Sequence, residues 1–264
     1  MPDLEINPEL FIHGEEDPNG PLIHVVVSLT SPGMNQLVHD GALDYITRAF
    51  DTIRAHGGRP RLVDSATATV ESVESLAAQA DAVLFLGGGD VDPALYNYEG
   101  PEPKGLYGID RHADELCIAL FHECAERDLP TLAFCRGSQV MNVAFGGTLI
   151  PDIEDWAIHH GPTGPDLMLD EPLTLAPESL IAGILGKNEV IGRNGHHQAV
   201  DRVGDELFAT AFAADGIVEG TQHRTATWML GLQWHPEDPA ADVADRERIF
   251  AELIAQARRN AAGA

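Results

Sequence analysis

Residues 129–139 run Leu-Pro-Thr-Leu-Ala-Phe-Cys-Arg-Gly-Ser-Gln, a short apolar stretch that stops on a cysteine and passes at once into a helix-like run. This fixes one junction of the fold: a strand whose carboxyl end turns sharply into a helix, with Cys135 at the corner. Ala133 and Gly137 are small enough for the backbone to fold tightly about the sulfur, as in a nucleophile elbow built on cysteine rather than serine. A helix starting at Arg136 would aim its free N–H groups and positive dipole end at the sulfur, favouring the thiolate. The competing reading is an inert cysteine buried at a strand end, the commoner fate of this residue.

A second stretch weighs against inertness. Residues 231–237, Gly-Leu-Gln-Trp-His-Pro-Glu, form another apolar run that stops at a histidine, and Pro236 biases His235 away from helical backbone. A base therefore stands at a strand end. Glu237, two residues on, can accept a hydrogen bond from one ring nitrogen of His235, fixing the tautomer and turning the other nitrogen toward a thiol. Nucleophile, base and orienting carboxylate are then all present, recognised by role rather than chain order. A third stretch, Leu-Phe-Leu-Gly-Gly-Gly-Asp-Val-Asp-Pro at residues 84–93, carries an apolar strand into three glycines. Backbone without side chains at a strand's carboxyl end brings amide N–H groups close to a developing oxyanion. A phosphate loop fits less well, because no Lys-Ser or Lys-Thr follows and the spaced glycines of a dinucleotide fingerprint are missing.

The rest of the chain supplies the frame. Residues 22–29 read as a buried strand, and Val38, Ala42, Tyr45, Ala49 and Ile53 recur at helical spacing before Gly57-Gly58. A strand near 61–63, a helix around 72–80, a strand at 82–86 and a long helix over 111–126 follow. Such alternation predicts a three-layer α/β fold, a mostly parallel central sheet covered by helices on both faces with the reactive loops at its carboxyl edge. After Gly147 the segments shorten (189–192, 207–211, 217–219, 227–230) and read as a smaller antiparallel sheet, before a closing helix over 241–257. Residues 1–20 read as a polar leader, 21–258 as one catalytic domain and 259–264 as a tail.

The glycine loop, the Phe-Cys-Arg-Gly-Ser-Gln elbow with Gly146-Gly147-Thr148 downstream, the run Gly195-His196-His197-Gln198-Ala199-Val200 and the Gln-Trp-His-Pro-Glu stretch occur in that order. Together they resemble the class I glutamine amidotransferase superfamily over roughly residues 20–257. The His-His-Gln-Ala-Val run and the glycine loop resemble its γ-glutamyl-γ-aminobutyrate hydrolase branch. That resemblance implies a flavodoxin-like fold with Cys135 as nucleophile, His235 as base and acid, and Glu237 as the residue orienting it. It implies an oxyanion site at the amides of Arg136 and Gly88. It also implies contacts to the glutamyl group from Gln139 and from the backbone near His197 and Gln198. The reaction implied is cleavage of a γ-glutamyl amide through a thioester, as in polyamine and putrescine catabolism, with no metal or organic cofactor. Ala133, residues 193–195 and His112 depart from the branch pattern, the second where the glutamyl group or amine would be gripped. Two other readings stand beside the hydrolase: a glutaminase subunit that passes ammonia to a separate synthase, and a catalytically silent binding protein.

Composition narrows the setting. With 42 acidic and 16 basic residues the formal net charge is −26, which makes nucleic acid and anionic membranes poor partners. It fits either plain solubility or adaptation to high salt. No apolar run is long enough to span a membrane and residues 1–20 lack a signal-peptide core, so a cytoplasmic protein with a small-molecule substrate is expected, a homo-oligomer being compatible with the sequence. Three cysteines without paired spacing argue against disulfides or a zinc site, and Cys117 and Cys124 read as helix core. The adjacent pairs His159-His160 and His196-His197 cannot each send both rings into one site from extended backbone. Metal binding is unneeded for the chemistry.

Overall fold

The computed structural model describes residues 4–67, 71–154, 156–162 and 167–263. The amino-terminal half builds strands β1 (Leu22–Val27), β2 (Arg59–Asp64), β3 (Ala82–Phe85) and β4 (Thr131–Phe134). They alternate with helices α1 (Gln36–Ala55), α2 (Val73–Gln79) and α3 (Arg111–Glu126), and α4 (Arg136–Ala144) follows β4. Side-chain oxygens cap these helices at the orphan amides of their first turns: Asn35 accepts from Leu37 and Val38, Ser72 from Ser75, and Asp110 from Ala113. Beyond α4 come β5 (Leu149–Ile150), β6 (Leu169–Leu175), α5 (Leu180–Leu185), β7 (Glu189–Asn194) and β8 (Ala199–Val200). The chain then forms β9 (Leu207–Phe212), β10 (Val218–His223), β11 (Met229–Leu232) and α6 (Val243–Gly263).

The eleven strands among the described residues belong to one sheet, whose main path runs β2-β1-β3-β4-β11-β10-β9-β6-β7. Pairing is parallel from β2 to β11 and antiparallel from β11 onward. The antiparallel strands expected as a smaller sheet therefore continue the parallel one through β11. Alternation along the strands divides the core into two layers. Ile23, Val25, Val27, Leu84, Leu132 and Phe134 join a cluster with α1 and α6, while Val26, Val83, Phe85 and Ala133 join one with α2, α3 and α4. Pro60 lies on edge strand β2, and Pro172 sits in β6 outside the short stretch that pairs with β9, both places where a missing N–H is tolerated.

The helix expected over 111–126 matches α3, and the other parallel-half elements fall within a few residues of expectation. Three differences stand out. Within the expected leader, Ile6 and Phe11 are buried in the first core layer and Ile6 donates to the Leu29 carbonyl, so this segment is part of the domain. The closing helix runs on to Gly263, through the expected tail, where Asn260 donates to the Asp81 carbonyl. Strand β6, with Asp170-Glu171-Pro172 at its centre, and short helix α5 were not foreseen. Among the described residues no helix is long and apolar enough to cross a membrane.

Candidate active site

Cys135 stands between the last residue of β4 and the first of α4, at φ 47° and ψ −111°. For a residue with a Cβ this is a sparsely populated conformation costing about 1–3 kcal/mol, held only because the surroundings over-determine it. Its N–H donates to the Leu232 carbonyl at 2.8 Å, and its own carbonyl accepts from Gln139. It occupies the cap position of α4 without a side-chain cap bond, so the first N–H groups of that helix stay directed at the corner. Gly137 shows why the turn is so tight: a Cβ there would lie 2.8 Å from Phe85 Cβ and 2.9 Å from its carbonyl oxygen. Cys117 and Cys124 are buried in the core, as read from the sequence.

Strand β11 lies parallel beside β4 with Leu232 opposite Phe134, so the two chains leave the sheet side by side. Gln233 then donates from Nε2 to the Cys135 sulfur at 3.6 Å. His235 follows; its N–H donates to the Arg193 carbonyl, and its Nδ1 bonds Glu237 Oε1 at 2.8 Å. Glu237 is fully buried. Burial alone would push the His235 ring toward neutrality, but the Glu237 charge and the Cys135 sulfur outweigh it and hold the imidazole well above its usual range. The glycine loop passes across this ring. A Cβ on Gly87 would lie 3.0 Å from His235 Cε1, and one on Gly88 3.0 Å from Arg136 Cδ. Cys135, His235, Glu237, Gly88 and Arg136 are thus gathered at the carboxyl ends of three adjacent strands, β3, β4 and β11.

The three remaining residues expected at the site divide. Gln139 is buried beside it, with Nε2 donating to the Gln198 carbonyl at 2.9 Å and to Gln233 Oε1 at 3.1 Å. Gln198 Oε1 accepts from the Val91 N–H, tying this segment to the loop beyond the glycines. His197 turns its ring to two carboxylates, with Nε2 at 2.9 Å from Asp90 and Nδ1 at 3.2 Å from Asp152, while its carbonyl accepts from Ile153. The Arg136 side chain likewise leaves the site, reaching Asp114 at 2.6 Å, which leaves its amide at the corner. The departure at Arg193 faces the back of the histidine: its guanidinium bonds Asp238 and Asp170.

Sequence reasoning missed Gln233, Tyr45 and Asp238. The Tyr45 ring lies 4.8 Å from that of His235, and its hydroxyl donates to Asp238 at 2.7 Å. Gln233 could have been found, since it precedes the histidine by one extended repeat on the strand facing Cys135.

A cysteine elbow, a carboxylate-oriented histidine and a glycine loop on one parallel sheet edge define a class I glutamine amidotransferase-like protein. The profile of the peptidase C26 family matches residues 21–237, and the chain belongs to that family. It is 34% identical over 209 residues to a Mycobacterium tuberculosis protein named as a glutamine amidotransferase, covering 78% of this chain and 65% of that relative. It is 27% identical over 245 residues to the γ-glutamyl-γ-aminobutyrate hydrolase of Escherichia coli, covering 89% of this chain and 93% of that protein. A solved structure from Thermoplasma acidophilum, described as one of the subunits of GMP synthase, superposes with a TM-score of 0.61 at 17% identity, covering 92% and 98% of the two chains; this likeness is one of fold.

Proposed function

We propose that this protein is a cysteine-dependent hydrolase that cleaves the γ-glutamyl amide bond of small γ-glutamyl compounds, releasing glutamate and the free amine. The observation that carries the reading is the strained Cys135 corner beside a histidine whose other nitrogen is held by a buried carboxylate. In this scheme His235 takes the thiol proton and the thiolate attacks the side-chain amide carbon. The amides of Arg136 and Gly88 receive the negative charge on the carbonyl oxygen. The tetrahedral intermediate collapses as His235 returns the proton to the departing nitrogen, leaving a thioester on Cys135. His235 then deprotonates a water that attacks the thioester carbon, giving glutamate and regenerating the thiol. Glu237 orients the imidazole and supports its positive form without reacting. Gln139 and the backbone at His197 and Gln198 hold the glutamyl end. The substrate is a small molecule, and the setting is cytoplasmic.

Relatives named as glutamine amidotransferases favour a second reading, a glutaminase that hands ammonia to a separate synthase. Steady-state kinetics on the isolated protein separate the two. A hydrolase with a pocket for the amine uses the binding energy of that amine in the transition state. It is expected to turn over γ-glutamyl-γ-aminobutyrate with a kcat/KM at least about 10²-fold above that for glutamine, from contacts beyond the amide nitrogen worth about 3 kcal/mol. A preference for glutamine, or silence on both until a synthase is added, overturns the first reading in favour of the second.

A further inference from the structure

Away from Cys135, in the antiparallel half, four buried side chains converge from four separate segments. His159 follows the single turn Trp156–Ile158, Glu171 lies in β6, His196 follows β7 and Glu219 lies in β10. All four are at least nine-tenths buried. One atom from each, His159 Nδ1, Glu171 Oε1, His196 Nε2 and Glu219 Oε1, points into a shared space, and the four lie within 4.8 Å of one another. None of these atoms has a hydrogen-bond partner among the described residues. They approach one another without the alignment of hydrogen bonds, His159 to Glu171 at 3.2 Å, His159 to Glu219 at 3.6 Å and His196 to Glu219 at 3.4 Å. Buried acceptors and ring nitrogens left unpaired in this way are costly.

The geometry points to a divalent cation of the zinc class held here by two imidazoles and two carboxylates. Tetrahedral zinc with bonds of about 2.0–2.2 Å to nitrogen and oxygen has ligand-to-ligand edges of about 3.3–3.6 Å, which matches the three close separations above. The outward-facing atoms of the same residues are already fixed, as ligand orientation requires. His159 Nε2 bonds Asp215 at 2.9 Å and His196 Nδ1 bonds the Gln198 carbonyl at 2.9 Å, leaving the opposite nitrogen of each ring for a metal. The Asn194 amide donates to the remaining oxygens of Glu171 and Glu219. Charge agrees too: two carboxylates neutralise a dication, whereas a proton on His159 would balance only one of them. Imidazole with carboxylate selects zinc and its neighbours over magnesium or calcium, and four protein ligands close the site against substrate. The role is therefore structural. The Glu219 carbonyl accepts from the Gln233 N–H, so a cation here braces the strand end that presents Gln233 and His235.

The full chain, stripped with a chelator, reloaded with zinc and desalted, is expected to retain about one zinc per molecule by elemental analysis. The cobalt-loaded form should show the intense visible absorption of a tetrahedral site. Glu219→Gln and His196→Ala should reduce retained metal to below about a tenth of that, and Cys135→Ser should retain it in full, excluding capture by the reactive thiol. Asp215→Asn touches only the partner of His159 and should weaken zinc affinity roughly 10- to 100-fold with an unchanged circular dichroism spectrum, which keeps the test informative if a ligand variant misfolds. An unsubstituted chain that retains no zinc and gives no tetrahedral cobalt spectrum overturns the inference. So does zinc that persists in Glu219→Gln or disappears in Cys135→Ser.

Discussion

His24 and His159 are both buried, one in β1 of the parallel half and one in the antiparallel half, yet they are driven in opposite directions. His24 sits in a largely apolar strand with neither ring nitrogen partnered among the described residues, and burial, helped by the charge of Arg61, pushes it down to about 4. With no metal bound, burial also works against the charged form of His159, but the carboxylates of Glu171, Glu219 and Asp215 overcome it and hold the ring up at about 10. Burial thus sets only a baseline, and neighbouring acceptors decide which form a ring adopts. His235 at the seam belongs with His159, because Glu237 stands beside it.

Three substitutions test that contrast. The largest effect is expected from Cys135→Ala, which removes the proposed nucleophile and leaves His235 and Glu237 in place. Loss of kcat by about 10⁴-fold or more is expected, with thermal stability little changed, because alanine keeps the Cβ and with it the strain of the corner. Residual activity within about tenfold of the unsubstituted enzyme would remove Cys135 from the chemistry. Next, Glu237→Gln keeps a hydrogen-bonding group but takes away the charge, so burial should gain on His235 and push its ring toward the behaviour of His24. A fall in kcat/KM of about 10²- to 10³-fold is expected, smaller than for His235→Ala, with a changed pH profile. Identical profiles for the two enzymes would show that the carboxylate has no such role.

The smallest effect concerns His24 and is read in stability. The unfolded ring takes up a proton near 6.5, whereas the folded ring resists it down to about 4. This group's contribution is therefore complete above pH 6.5 and is lost as pH falls toward 4, up to about 3 kcal/mol. His24→Val should flatten the decline of the denaturation midpoint between pH 7 and pH 4.5 while leaving kcat at neutral pH intact. An equally steep decline in the variant would mean that acid sensitivity lies elsewhere, for instance in the paired carboxylates.

The parallel half was legible because β1, β3 and β4 are buried on both faces and read as nearly continuous apolar runs. Most of the candidate site was legible for a related reason: Cys135 and His235 each sit where such a run stops, and Glu237 is a local neighbour. Tyr45 was not, since in α1 it reads as one more position of the core-facing stripe, while its hydroxyl reaches Asp238 across 193 positions of chain. Strand β6 was missed because Asp170-Glu171-Pro172 has the composition of a loop, and Glu171 occupies a buried position where an apolar residue would be expected. The histidine pairs were read correctly as far as local geometry allows, since His196 and His197 do diverge to different carboxylates. The meeting of His159 with His196 depends on the long path between them, and no spacing in the sequence encodes it.

Strand β11 is hydrogen-bonded to β4 on one side and to β10 on the other, so both halves share a single ladder. Among the described residues no hinge separates these two halves. Cys135 and His235 leave neighbouring strands of that ladder, and separating them means breaking backbone bonds between β4 and β11, so opening and closing by rotation of two lobes is not available. Any movement that admits a ligand is expected instead in the segment from Gly87 to Asp110, which crosses the imidazole at one end and caps α3 at the other. Exchange of the amides in this loop is expected to respond to ligands while the β4 and β11 amides stay silent.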